Sequence, residues 1–261
     1  MTYNEKMAIE VYEELLKKGE LSAIRGEVSE PILRTDDVLK NILPLPPEAF
    51  FIGLCDDNKP VLLNLFDPFP SSLLVIGDEG AGKTRLLKSM AYANSKFHNS
   101  RELQFAVITR HPEEWNDLLN IENNVGIFTS YGTGTGDLVL SLASWAHGNK
   151  RENQSVILLI DDIAEFYRTA DFDTRQNLRW LLLRGAAKRT WTIATIRASE
   201  VLENAELVGA MKTRVTGKVK NKEILNSVFH NPDAMKLVSL SPYSFLMTKG
   251  EGYIKFYGTD I

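Results

Sequence analysis

The run Leu73-Leu74-Val75-Ile76-Gly77-Asp78-Glu79-Gly80-Ala81-Gly82-Lys83-Thr84 constrains this chain more than any other. A short apolar stretch leads into a loop with Gly at both ends of a six-residue span, and Lys-Thr then opens a helical pattern. This is G-x-x-x-x-G-K-[ST] in the strand–loop–helix setting that its chemistry requires. Small residues let backbone N–H groups converge on an anion. The helix N-terminus behind them adds unpaired donors and the positive end of its dipole. The pattern assigns a phosphate cradle to Gly77, Asp78, Glu79, Gly80, Ala81, Gly82, Lys83 and Thr84. Lys83 would reach the β- and γ-phosphates of ATP, and the Thr84 hydroxyl would hold Mg2+. Asp78 and Glu79 put two carboxylates into a loop meant for an anion, so both are expected to point outward. The bland alternative, a Gly-rich turn that binds nothing, has to account for all four fixed positions.

Around this loop the chain of 261 residues alternates apolar runs with helical patterns. Residues 5–18 carry a helix-spaced apolar stripe stopped by Gly19, and a second short helix is expected with Thr35 as N-cap. Pro44, Pro46 and Pro47 mark residues 43–48 as a linker. Runs at 50–54 and 61–65 read as a hairpin. Helices are expected at 84–96, 112–120, 137–147 and 174–187, alternating with strands at 105–109, 126–129, 156–160 and 191–195. A strand from Arg214, a helix near 221–228 and a hairpin of 244–247 with 253–257 close the chain. Apolar strands alternating with helices imply an α/β fold, a mainly parallel sheet with helices on both faces. The expected division is a small N-terminal helical appendage over 1–45 and the main domain over 46–261.

A net charge of −4 gives no general basic coat for nucleic acid, although it leaves room for a local basic track. Cys55 is the only cysteine, which rules out an intramolecular disulfide and suits a reducing, cytoplasmic setting. His98, His111, His147 and His230 lack metal-ligand spacing. The polar N-terminus has no leader core, and no apolar run approaches the ~20 residues of a membrane span, so direct membrane insertion is not expected.

The second motif, Val156-Ile157-Leu158-Leu159-Ile160-Asp161-Asp162, is an apolar strand ending in two carboxylates. In phosphoryl-transfer sites one acid sits beside Mg2+ and another orients or deprotonates the attacking water, roles that fall to Asp161 and Asp162. Adjacent strand residues point to opposite faces, so the two acids can serve different tasks. Such a run can also be a mere strand cap. Thr195 closes the next strand as a candidate sensor of the γ-phosphate, or as a hydroxyl satisfied by local backbone. Arg184, Arg189, Arg197 and Arg214 are candidates for an arginine finger given in trans to a neighbour's nucleotide.

Several motifs together resemble the FtsK/HerA superfamily of P-loop motors, and the FtsK/SpoIIIE-type domain in particular. Ile52-Gly53-Leu54-Cys55-Asp56-Asp57 with Pro60–Leu65 is similar to the hairpin that precedes the loop, in the "GLxDDP" form of EccC-type secretion ATPases. Leu159–Phe166 resembles "VIDEFADL", Ala194–Ser199 resembles "ATQRPS", and Lys212–Val215 resembles "PTRI". The resemblance covers residues 50–257. It implies a RecA-like P-loop fold, ATP and Mg2+ as cofactors, a hexameric homo-oligomeric ring and double-stranded DNA as cargo. Three departures stand out: Asp162 replaces the family's catalytic Glu, Ile196 its Gln, and Glu79 a Thr or Ser of the loop. They keep a second reading open, a weakly or non-hydrolysing ATP-binding adaptor. A third is a secretion-linked ATPase acting on a polypeptide. Without membrane segments of its own in this sequence, the motor would act in trans with a membrane or secretion partner protein. Lys212, Arg214, Lys218, Lys220 and Lys222 form a basic run that reads as a DNA track or as a solvated face.

Overall fold

The computed structural model describes residues 33–69, 71–149, 154–228, 240–249 and 252–261. The helix expected over 5–18 lies outside the described residues. In chain order the elements are α1 (Thr35–Ile42), β1 (Ala49–Cys55), β2 (Pro60–Asn64), β3 (Leu73–Gly77), α2 (Lys83–Phe97) and β4 (Leu103–Thr109). After a 3-10 segment (Pro112–Leu118) come β5 (Asn124–Thr129), α3 (Thr133–Gly148), β6 (Ser155–Ile160), α4 (Ile163–Thr169) and α5 (Phe172–Trp180). β7 (Thr190–Arg197), α6 (Ala205–Ala210), β8 (Thr213–Thr216), α7 (Lys222–Val228), β9 (Ser244–Lys249) and β10 (Gly252–Tyr257) complete the chain.

All ten strands form one sheet in the order β2-β1-β10-β9-β8-β3-β7-β6-β4-β5. The half from β8 to β5 is parallel. The half from β2 to β8 is antiparallel, because both hairpins join the same edge through β1–β10 pairing. The central parallel strands β3, β4, β6 and β7 read as largely apolar runs because both of their faces are covered. Leu74, Ile76, Ala106, Ile108, Leu158, Ile160, Ala194 and Ile196 face one core with α3, α4 and α5. Their neighbours in sequence, Leu73, Val75, Phe105, Val107, Ile157, Leu159 and Ile193, face the other, with α2 and Trp115. Because these strands are parallel, every loop that follows one of them lies at the same edge of the sheet, where a doubly covered sheet leaves room for a ligand.

Several expectations are corrected. Thr35 is the first residue of α1 and no cap: its buried hydroxyl bonds Thr259 Oγ1 at 2.7 Å, and Arg34 precedes the helix without a side-chain cap. α1 packs Val38, Leu39 and Ile42 onto Phe51, Leu54, Leu62 and Ala93. The helix expected over 112–120 is a 3-10 segment that buries only Trp115 and Leu118. The helix expected over 174–187 starts at Phe172, capped by Asp171, and changes to π geometry over Leu181–Gly185. There the Gly185 backbone runs so close to Thr190 that a Cβ would lie 2.5 Å from its carbonyl oxygen. The short helices α4 and α6 carry too few turns to show a period in the sequence.

Candidate nucleotide site

The loop between β3 and α2 is built by close packing beneath it. A Cβ on Gly77 would lie 2.9 Å from Ala81 Cβ. Gly80 and Gly82 have φ of 76° and 89°, the left-handed region in which Gly alone is free of a steric cost. The chain after β8 supports the loop from one side: Asp78 N–H donates to the Lys218 carbonyl at 2.8 Å, and Lys220 N–H donates to Asp78 Oδ2 at 2.8 Å. The Asp78 carboxylate therefore turns away from the loop interior, and Glu79 is exposed. Among the described residues the amides of Gly82, Lys83, Thr84 and Arg85 have no backbone partner. They are the orphan donors that every helix start leaves over. Lys83 Nζ donates to the Gly77 and Asp78 carbonyls, each at 2.9 Å, which stows a cation inside the loop. Burial holds its ammonium below the usual lysine value, partly offset by Asp161 and Asp162.

On the other side of the loop, β6 delivers the two acids and β7 the threonine bonded to them. Thr84 Oγ1 donates to Asp161 Oδ2 at 2.9 Å, and Thr195 Oγ1 donates to Asp161 Oδ1 at 2.9 Å. Burial pushes the Asp161 carboxyl above the ordinary carboxylate range, while the two hydroxyls pull it back. Asp162 has left the strand with φ 72°, so the two acids do not simply alternate across β6. Its carboxylate caps α4 through Glu165 N–H at 3.2 Å and faces Arg197 Nη2 at 3.3 Å. Thr195 Oγ1 also accepts from Asp162 N–H at 2.8 Å, so this buried hydroxyl is bonded on both sides, to the carboxylate of one acid and the amide of the other.

The four arginines part company. Arg197 is exposed beside Asp162, at its own chain's site. Arg214 is half-buried with its guanidinium 3.4 Å from the carbonyls of Val208 and Val228, where it covers the ends of α6 and α7. It therefore leaves the basic run. Arg189 lies at the opposite edge of the sheet, where its carbonyl accepts from Val156 N–H and its guanidinium lies over Phe66 at 3.9 Å. Arg184 is exposed on the π segment.

Three groups at this edge escaped the sequence reading. The Tyr243 ring lies against Gly82, and the Arg85 guanidinium lies over that ring. Glu200, in the turn after β7, has a buried Oε2 without a hydrogen-bond partner among the described residues, and burial and Asp162 push its carboxyl up. No local pattern marks any of them.

The residues present suit a magnesium nucleotide: open amides, one stowed ammonium, and a hydroxyl–carboxylate pair of oxygen donors. No family model and no curated protein matches this chain. Solved structures do. The cytoplasmic domain of the type VII secretion ATPase EccC from Thermomonospora curvata aligns with a TM-score of 0.67 at 16% identity, over 88% of this chain and 28% of that one. ATPases 2 and 3 of the same EccC, in complex with a signal sequence peptide, align at 0.67 and 14% identity, over 91% and 46%. The pCW3 conjugation coupling protein TcpA, a monomer form with ATPγS, aligns at 0.66 and 14% identity, over 97% and 82%. The chain thus spans less than half of either EccC structure. These neighbours are FtsK/SpoIIIE-type P-loop ATPases, and this chain has their RecA-like fold.

Proposed function

We propose that this chain binds Mg·ATP at the loop of residues 77–84 and hydrolyses it as an FtsK-type motor domain. The observation that carries the reading is the convergence of Lys83, Thr84 and Asp161, with Thr84 and Asp161 bonded at 2.9 Å. In this reading the free amides from Gly82 to Arg85 and the Lys83 ammonium hold the phosphates. Thr84 and Asp161 hold Mg2+, which supplies charge neutralisation at the phosphate oxygens. Thr195 fixes the Asp161 carboxylate. Asp162 orients or deprotonates the attacking water, with Arg197 beside it as a cation of the same chain. Residues 46–261 form the ATPase domain, with 1–45 as its N-terminal appendage. The protein is cytoplasmic and assembles into a hexameric ring on double-stranded DNA. Arg184 is exposed and so available to a neighbouring subunit, whereas the placements of Arg189 and Arg214 speak for local structural roles.

One observation favours a second reading. Asp162 is held by the α4 cap and by Arg197, and it is one methylene shorter than Glu, so it has little reach toward a water. That suits an adaptor that binds ATP and turns it over slowly, or an ATPase whose cargo is a polypeptide. The EccC neighbour in complex with a signal sequence peptide supports the latter. Turnover measured with and without duplex DNA separates these. A DNA motor shows DNA-stimulated hydrolysis that Lys83→Ala abolishes. An adaptor binds nucleotide tightly with hydrolysis indifferent to DNA, and a polypeptide motor responds to peptide instead. The particle mass with ATP tests the ring.

A further inference from the structure

Tyr243 sits on the lip of the loop in a backbone conformation that a bulky residue rarely adopts, φ 68°. Such strain persists only where the surroundings over-determine it, and it concentrates at ligand sites. Here the surroundings do so. Tyr243 N–H donates to the Ala81 carbonyl at 3.3 Å, and its own carbonyl accepts from Gly258 N–H at 3.1 Å. The ring lies against Gly82 so closely that a Cβ there would come within 2.3 Å of Cδ1. The Arg85 guanidinium lies 4.1 Å from the ring centroid, and Arg85 Nε is 2.9 Å from Asp260 Oδ1. The chain thus fixes an aromatic ring from several directions, yet leaves the residue 38% exposed. Core packing does not ask for that.

The sheet order says what the ring faces. Strands β7 and β6 lie on one side of β3 and bring Asp161, Thr195 and Arg197 to the metal pole. Strands β8 and β9 lie on the other side and bring Tyr243. In a loop of this kind the lysine and the hydroxyl serve the terminal phosphates and the metal, while the amides cradle the inner ones. A triphosphate with its terminal end at Asp161 therefore directs its nucleoside away from β6 and β7, toward Arg85 and Tyr243. We propose that the nucleobase stacks on Tyr243, which makes it the residue by which the site prefers a nucleotide to bare polyphosphate. Arg85 holds the ring at its angle, and Gly82 is required as much for the ring's approach as for its own φ. The proposal rests on the nucleotide-binding reading above.

Titration calorimetry with Mg·ATP and with Mg·tripolyphosphate tests it. Stacking of a base on an aromatic side chain predicts that Tyr243→Ala weakens ATP on the order of tenfold while tripolyphosphate changes less than about twofold. Tyr243→Phe keeps both affinities. In Tyr243→Trp, ATP quenches the indole fluorescence and tripolyphosphate does not. Unchanged ATP affinity in Tyr243→Ala overturns the proposal, and so does an equal loss for both ligands, which would make the ring a prop for the loop. If the wild-type protein binds tripolyphosphate as tightly as ATP, the base platform falls and the phosphate loop stands. If it binds neither, the nucleotide-binding reading itself falls, and this one with it.

Discussion

Thr195 and Asp161 are joined by a hydrogen bond of 2.9 Å at the C-terminal edge of two adjacent parallel strands. The same threonine oxygen accepts from Asp162 N–H, so one buried hydroxyl sets the position of both acids. Thr195→Val keeps the shape of the side chain and removes both bonds. Leaving a buried amide unsatisfied costs about 1–3 kcal/mol. We expect a lower melting temperature together with about tenfold slower ATP turnover, since the carboxylate loses one of its two anchors. Thr195→Ser restores both. A melting curve and a phosphate-release assay on the three proteins check this.

Asp162 combines a left-handed backbone, a helix cap and a charge pair, and its variants separate these. Asp162→Asn tolerates the backbone and keeps an acceptor for Glu165 N–H, so stability stays within about 0.5 kcal/mol of the wild type. Turnover falls about 100-fold if the charge activates water. Asp162→Ala loses the cap and pays the left-handed cost as well, about 2 kcal/mol together. Urea melts beside steady-state rates distinguish charge from scaffold.

Cys55 ends β1 half-buried, and burial, then Asp57 and Asp56, push its thiol up to about 11. Only the thiolate reacts with alkylating agents. At about pH 8 the folded protein should therefore be alkylated roughly 100-fold more slowly than the unfolded chain, and Asp57→Asn should recover part of the rate. Mass spectrometry of iodoacetamide time courses reads this directly.

His98 follows α2, where its Nε2 bonds the Ala49 carbonyl at 2.8 Å. Burial holds its pKa below the ordinary histidine value, against the opposing bond to Ala49. Its folded value lies below its unfolded one, so the stability it contributes is complete above the unfolded value and is lost as pH falls through the folded value. Between about pH 7.5 and pH 5.5 the wild type should lose more stability than His98→Gln. Urea midpoints across that window check the difference in slope.

What could be read from the sequence was local. The loop, the apolar strands and the pair of hairpins each carry their signal within a few residues, because period two and glycine placement are properties of the strand and turn themselves. The fate of Thr35 was not local: it faces Thr259, 224 residues away, and so is no cap. Arg214 looks like any surface arginine in sequence, yet two helix ends meet its guanidinium. Asp162 continues an apparent strand, and only the start of α4 turns it into a cap. Tyr243 stands in Ser-Pro-Tyr-Ser, a turn with nothing to say that a loop far upstream lies against it.

The account depends on the loop and Asp161 gripping a magnesium triphosphate together. Calorimetric titration of the full chain with ATP, with and without Mg2+, and again with Lys83→Ala, tests that most directly. The account predicts saturable heat for the wild type, weaker binding without the metal, and loss of binding in Lys83→Ala. Absence of heat for wild-type protein with Mg·ATP, or binding that survives Lys83→Ala unchanged, would contradict it.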